Sequence, residues 1–114
     1  MNLIAELAEK YEQDIIELRR YFHQHPETAW EEFGTTDRIE EELRSLGLTP
    51  HRLNENTGLW VDIKGGKADG SEVVLLRADI DALPIQEMTG LPYASQTPGK
   101  MHACGHDCHA AMLL

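Results

Sequence analysis

Between positions 102 and 109 the chain places three histidines, two cysteines and an aspartate within eight consecutive residues: His102-Ala103-Cys104-Gly105-His106-Asp107-Cys108-His109. Thiolate, imidazole and carboxylate are the donors that borderline divalent metals take, so this density reads first as a metal site. In an extended entry segment side chains alternate, which predicts His102, Cys104 and His106 on one side and Ala103 and Gly105 on the other. Gly105 leaves a tight backbone path beside a bound ion. Asp107 has the residue type of a helix N-cap, and the apolar residues after Cys108 read as the first turns of a helix. On this reading Cys104 and His106 supply ligands of a catalytic metal site, while Asp107, Cys108 and His109 cap, fill and support it.

Three other chemistries draw on the same residues. Cys104 and Cys108 could form a redox couple or a disulfide, although C-x3-C is not the C-x-x-C of thioredoxin-like sites and a cytosolic chain keeps its thiols reduced. A structural zinc site usually brings a second paired motif, and none is visible. A cysteine nucleophile needs a histidine delivered by the fold, which adjacency in sequence does not show.

A second set of donors lies upstream, in Arg77-Ala78-Asp79-Ile80-Asp81-Ala82-Leu83-Pro84. Two carboxylates two apart face the same way in extended geometry. They follow the branched apolar run Val73-Val74-Leu75-Leu76, which predicts a strand buried on both faces. The C-terminal end of such a strand is where open α/β sheets carry their ligand sites. One carboxylate could then bind metal and the other orient a ligand. The alternative, an exposed acidic turn before a proline, loses ground because the 102–109 cluster exists to complete the site.

Other elements must position these two clusters. Residues 2 to about 24 predict an amphipathic helix, with Leu3, Ile4, Leu7, Tyr11, Ile15, Leu18 and Phe22 as its apolar stripe, stopped at His25-Pro26. His23 and His25 fall in its last turn, where a histidine often serves only as a favourable C-terminal charge. After a loop over Trp30 to Gly34, residues 36–46 predict a second helix. Asp37 and Glu40 have capping-box spacing, Ile39, Leu43 and Leu46 form its stripe, and Gly47 its stop. Glu40 and Arg44 make a solvated i,i+4 pair. Residues 49–53 and 58–64 read as short strands, 65–71 as turn chemistry, and 89–99 as a loop on which Glu87, just before it, and Tyr93 have no assignable role.

With 114 residues and 41% hydrophobic content the chain suits one small domain. Its net charge of −10 argues against nucleic acid or an anionic membrane as partner, both of which attract a basic face. No apolar run is long enough for a membrane span, and the N-terminus mixes Glu and Lys with leucines where a secretion signal would be basic and then apolar. The expectation is a cytoplasmic protein.

At this point the residues carry a family resemblance. Residues 77–84, Met101 to Asp107, and Phe22-His23-Gln24-His25-Pro26-Glu27 together resemble the start of the amidohydrolase branch of the metallo-aminoacylase and carboxypeptidase superfamily. Hippurate hydrolases, N-acyl-amino-acid amidohydrolases and auxin-conjugate hydrolases belong to that branch. The resemblance implies an α/β fold, with residues 1–114 as the N-terminal part of a zinc-peptidase-like three-layer catalytic domain whose central mixed sheet is flanked by helices. It implies two divalent metal ions (Mn, Zn, Co or Ni), with Cys104 and His106 as metal ligands and Asp81 in a catalytic supporting role. Asp79, His102, Asp107 and His109 would surround the ligands. The implied substrate is an N-acyl amino acid or short peptide, split by a metal-acidified water into a carboxylic acid and an amino acid, and the implied full-length form is a homodimer. Family members run to several hundred residues. The paired glutamates, one of them the general base, and the further histidine ligands have no counterpart here, so these residues alone are expected to be inactive, with an unfinished sheet. The alternative is a small metal-binding or redox module using Cys104, Cys108 and the neighbouring histidines.

Overall fold

A computed structural model describes residues 2–53, 57–67 and 69–114. Ala68, inside the expected 65–71 turn, lies outside them. The first helix, α1, spans Leu3–Gln24, starts at Asn2, whose side chain accepts from the Ile4 N–H at 3.1 Å, and ends at His25, as the proline requires. Its apolar stripe is used only in part. Phe22 is fully buried, and Ile15, Leu18 and Tyr21 pack around it, but Leu3, Ile4, Leu7 and Tyr11 are exposed. Length explains the correction: 22 residues extend about 33 Å, whereas the helix packed against α1 has eight residues and covers about 12 Å.

The second helix, α2, spans Phe33–Ser45, three residues longer at its start than the sequence predicts. Asp37 therefore sits inside the helix and caps nothing; its carboxylate instead meets Arg52 at 2.5 Å. The cap comes from outside the local pattern. Glu27 accepts from the Gly34 N–H at 3.0 Å, the Thr35 N–H at 2.5 Å and the Thr35 hydroxyl at 2.6 Å. A carboxylate at a helix N-terminus satisfies free donors and complements the helix dipole. Ile39 and Leu43 are buried, whereas Leu46 is the exposed C-cap residue and Gly47 follows at φ +78°. The Glu40–Arg44 pair forms at 2.7 Å.

The strands β1 (His51–Arg52) and β2 (Leu59–Trp60) pair antiparallel, with His51 opposite Trp60 and Arg52 opposite Leu59. They are shorter than the 49–53 and 58–64 expected. Thr36, wholly buried, ties this hairpin to α2: its hydroxyl donates to the Glu32 carbonyl and accepts from the Gly58 N–H. Residues 73–76, expected as a strand buried on both faces, lie outside any ladder, and their side chains are 73–88% exposed. A strand owes its burial to neighbours on both edges, and no described residue pairs with this run.

The α/β architecture is as expected, but among the described residues the sheet is the antiparallel β1–β2 pair alone, and in place of a central mixed sheet there are two isolated bridges. Ala82 bridges Thr28 in parallel, its N–H donating to the Glu27 carbonyl at 2.8 Å, and Leu83 bridges Met101 antiparallel through two 2.9 Å bonds. These bridges hold the 77–84 and 101–109 stretches side by side. The last helix, α3 (His106–Leu113), packs on α1 through Ala110 and Ala111, which join Phe22, Ile39 and Leu43 in the buried cluster. No helix among the described residues is long and apolar enough to cross a membrane.

Candidate metal centre

Gly105 sets the geometry of the donor cluster. At φ +109° it turns the chain in a conformation that L side chains rarely adopt, and α3 begins at the next residue. The expected alternation therefore fails: His102 is buried, Cys104 is exposed and His106 is half-buried. Asp107 is likewise not the N-cap. Gly105 holds that position, and Asp107 lies in the first turn with its carboxylate pointing inward.

Both upstream carboxylates reach the ring of His106. Its Nδ1 lies 2.9 Å from the Asp81 carbonyl oxygen and 2.9 Å from Asp81 Oδ1, and its Nε2 lies 3.3 Å from Asp79 Oδ2. Two oxygen acceptors at Nδ1 favour the proton there, and with a cation between Nε2 and Asp79 the Nε2 lone pair would be a ligand, the arrangement by which a carboxylate orients a metal-binding histidine. His109, one turn along α3, stacks on His106 at 5.5 Å and contacts Asp79 Oδ1 through its Nδ1 at 2.6 Å. The His109 bond holds the Asp79 carboxyl below its ordinary range, burial opposing it and His106 adding to it.

Asp79, His106 and His109 thus each offer a ligand atom within 4.8 Å of the others. One carboxylate and two imidazoles fit a borderline divalent cation. Cys104 stands outside this convergence; it and Cys108 are free thiols. His102 faces inward, 5% exposed, its ring 6.5 Å from that of His23, and neither of its ring nitrogens meets a partner among the described residues. Burial holds the His102 imidazolium below its usual range, with Asp107 opposing.

The residues that sequence reasoning passed over lie beneath the site. His23 is buried, with Nδ1 2.8 Å from Asp107 Oδ2 and Nε2 2.9 Å from Glu87 Oε1. Arg19 Nε donates to the same Asp107 oxygen at 2.9 Å. Glu87 also accepts from the Ser95 N–H at 3.0 Å and from the Thr89 hydroxyl, and Tyr93 lies under Arg19 and Arg20. A usable signal existed: Arg19 and His23 are four apart, beside the apolar stripe, and so share one helix face. His25, the other ambiguous histidine, is exposed, bonded to the Tyr21 carbonyl and stacked on the Tyr21 ring. It ends the helix and is not among the site residues.

Burial alone would raise the Asp107 and Glu87 carboxyls, but the His23 and Arg19 contacts at Asp107, and the Thr89, Ser95 and His23 contacts at Glu87, hold both below their ordinary range. The sign follows. A carboxyl with a depressed folded-state pKa adds stability above its unfolded value, about 3.9 for Asp and 4.3 for Glu, and loses it as pH falls through the folded value. Thermal midpoints are expected to decline gently as pH falls below about 6.5, because buried His102 resists taking up a proton, and to drop more steeply below about 4, where the two carboxyls protonate. Glu87→Gln should make that acid limb shallower, and a limb of unchanged slope would remove Glu87 from the account.

A profile of peptidase family M20/M25/M40 matches residues 75–114. An N-acetyl-L-cysteine deacetylase of Bacillus subtilis is 50% identical over 103 residues, which is 90% of this chain and 24% of the deacetylase. A Rhodococcus jostii protein provisionally named glutamate–cysteine ligase 2-3 is 48% identical over 110 residues, 96% of this chain but 14% of that protein. Among solved structures, a dinuclear metal-binding M20 peptidase of Bacillus subtilis superposes with a TM-score of 0.83 at 44% identity, covering 90% of this chain and 29% of the peptidase. The chain therefore spans less than a third of each of these proteins.

Proposed function

We propose that this chain, which belongs to peptidase family M20/M25/M40, supplies the N-terminal part of the catalytic domain of a cytoplasmic metal-dependent amidohydrolase acting on N-acyl amino acids or short peptides. The observation that carries the proposal is the convergence of Asp79, His106 and His109 within 4.8 Å, with the His106 ring oriented by Asp81. The deacetylase and the dinuclear peptidase among its relatives support that reading. The ligase name concerns a protein of which this chain covers 14%. It adds no residue to the site.

In the complete protein the centre takes two divalent ions, Mn, Zn, Co or Ni. Bound there, they supply Lewis acidity, which polarises an amide carbonyl and acidifies a water. His106 presents Nε2 to that centre, and Asp81 fixes the proton on Nδ1 so that this nitrogen stays free. Asp79 contributes a carboxylate oxygen, and His109 stands beside it. Cys104, an exposed free thiol one glycine from His106, would supply a thiolate to that centre. The base that accepts the water's proton, the remaining ligands and the surface for homodimerisation would be supplied by the complete protein from outside residues 1–114.

Metal analysis of the complete gene product, with release of amino acid from an N-acyl amino acid, tests the proposal on wild type and Cys104→Ala. About two ions per chain, with both metal and turnover lost in the variant, is the expected result. Full turnover by a metal-free Cys104→Ala protein would overturn it.

A further inference from the structure

We infer that His23 is a positioning residue for the metal-facing histidines, acting through Asp107; this rests on the reading of His106 and His109 given under the proposed function. α3 is only eight residues long, starts from a glycine and has no side-chain cap of its own. In its first turn His106 meets Asp81 and Asp79 only at part-exposed side chains. The buried anchor that sets the rotation of the helix about its axis is therefore Asp107, whose Oδ2 lies 2.8 Å from His23 Nδ1 and accepts from Arg19 Nε at 2.9 Å, both on α1. Successive helix residues are about 100° apart, so a carboxylate pinned toward α1 also dictates where the neighbouring His106 and His109 point. A rotation of roughly 15° moves an imidazole nitrogen some 6 Å from the axis by more than about 1 Å. Metal–ligand distances tolerate only about 0.2 Å.

His23 can serve as this pin because its ring is held from both ends. Glu87, whose side chain is 2% exposed, meets Nε2 at 2.9 Å and is itself fixed by the Ser95 N–H and the Thr89 hydroxyl. The ring can neither flip nor swing without breaking a buried contact to a carboxylate.

The two ends separate by substitution. An asparagine amide nitrogen stands close to where Nδ1 was, and a glutamine amide nitrogen close to where Nε2 was. His23→Asn therefore keeps the contact to Asp107, and His23→Gln keeps the contact to Glu87. In the complete protein, Co2+ titration followed by visible absorption should give a dissociation constant within about threefold of wild type for His23→Asn. For His23→Gln it should be raised about 10–100-fold, the usual loss for a residue that orients a ligand. The absorption band should change shape only in the Gln variant. Thermal midpoints of the two metal-free variants should fall alike, since each loses one buried contact.

Equal affinity in all three proteins would overturn the inference. So would affinities that fall in both variants in step with the midpoints, because His23 would then act only on stability. A wild type that takes up no Co2+ would overturn the proposed function and this inference together. A wild type that binds tightly beside an unaffected Gln variant would overturn this inference alone.

Discussion

His106→Ala in the complete protein is expected to abolish metal uptake and amide hydrolysis while leaving the fold in place. His106 is the residue on which both donor stretches meet, with Asp81 at its Nδ1 and Asp79 at its Nε2. Losing a partner that merely orients a ligand typically costs 10–100-fold in affinity, so losing the oriented ring itself should exceed that range. The structural cost is small by comparison. The Asp79 and Asp81 side chains are 29% and 32% exposed, so water takes the place of the imidazole, and about 1 kcal/mol of stability is at stake. Asp81→Asn makes a graded control. Its amide oxygen still accepts from Nδ1 but without charge, so affinity should fall about 10–100-fold without being abolished. Calorimetric metal titration beside a urea unfolding curve distinguishes these cases. A His106→Ala protein that keeps its metal would move the centre away from α3 altogether.

What the sequence shows of this site depends on how far apart the cooperating residues are. The cluster at 102–109 and the pair Asp79 and Asp81 are visible because their donors are neighbours in the chain, and the expectation that both aspartates face one way agrees with both reaching a single imidazole ring. α1 and its stop at His25 are legible for the same reason, since the 3.6-residue period and the following proline are local. The rest depends on distant partners. His23 meets Asp107 across 84 positions and Glu87 across 64, and no periodicity reports such a contact. The start of α2 is misplaced because its cap is Glu27, six residues before the helix, and not the Asp37 that satisfies a local rule. Residues 73–76 read as a buried strand because branched apolar runs usually have strands on both edges, and no described residue provides such a neighbour here. Side-chain alternation through 102–106 fails at Gly105, whose positive φ ends the extended path and opens the helix. His102 and Cys104 then separate, one turning inward and one outward.

The largest effect on stability is expected at Asp107. Asp107→Asn, nearly isosteric, leaves a buried amide in place of the carboxylate on which the Arg19 guanidinium and the His23 ring converge. Its Oδ1 also accepts from the Cys108 N–H at 3.0 Å, so reorienting the amide to suit one donor places its NH2 against another. Removing one member of a buried charge network typically costs about 3–5 kcal/mol, because the remaining charges stay desolvated and unpaired. Arg19, whose side chain is 29% exposed, is different. Arg19→Met keeps the aliphatic stem and lets water share Asp107, and should cost about 1 kcal/mol. Urea unfolding at pH 7 should therefore rank Asp107→Asn well below Arg19→Met, and the acid limb of the pH profile should flatten in Asp107→Asn because a titrating carboxyl is gone. An Asp107→Asn protein within about 0.5 kcal/mol of wild type would mean that the apolar contacts of Ala110 and Ala111 with Phe22 hold α3 by themselves. The network would then be idle for stability, and its remaining role would be to fix the direction in which His106 and His109 point.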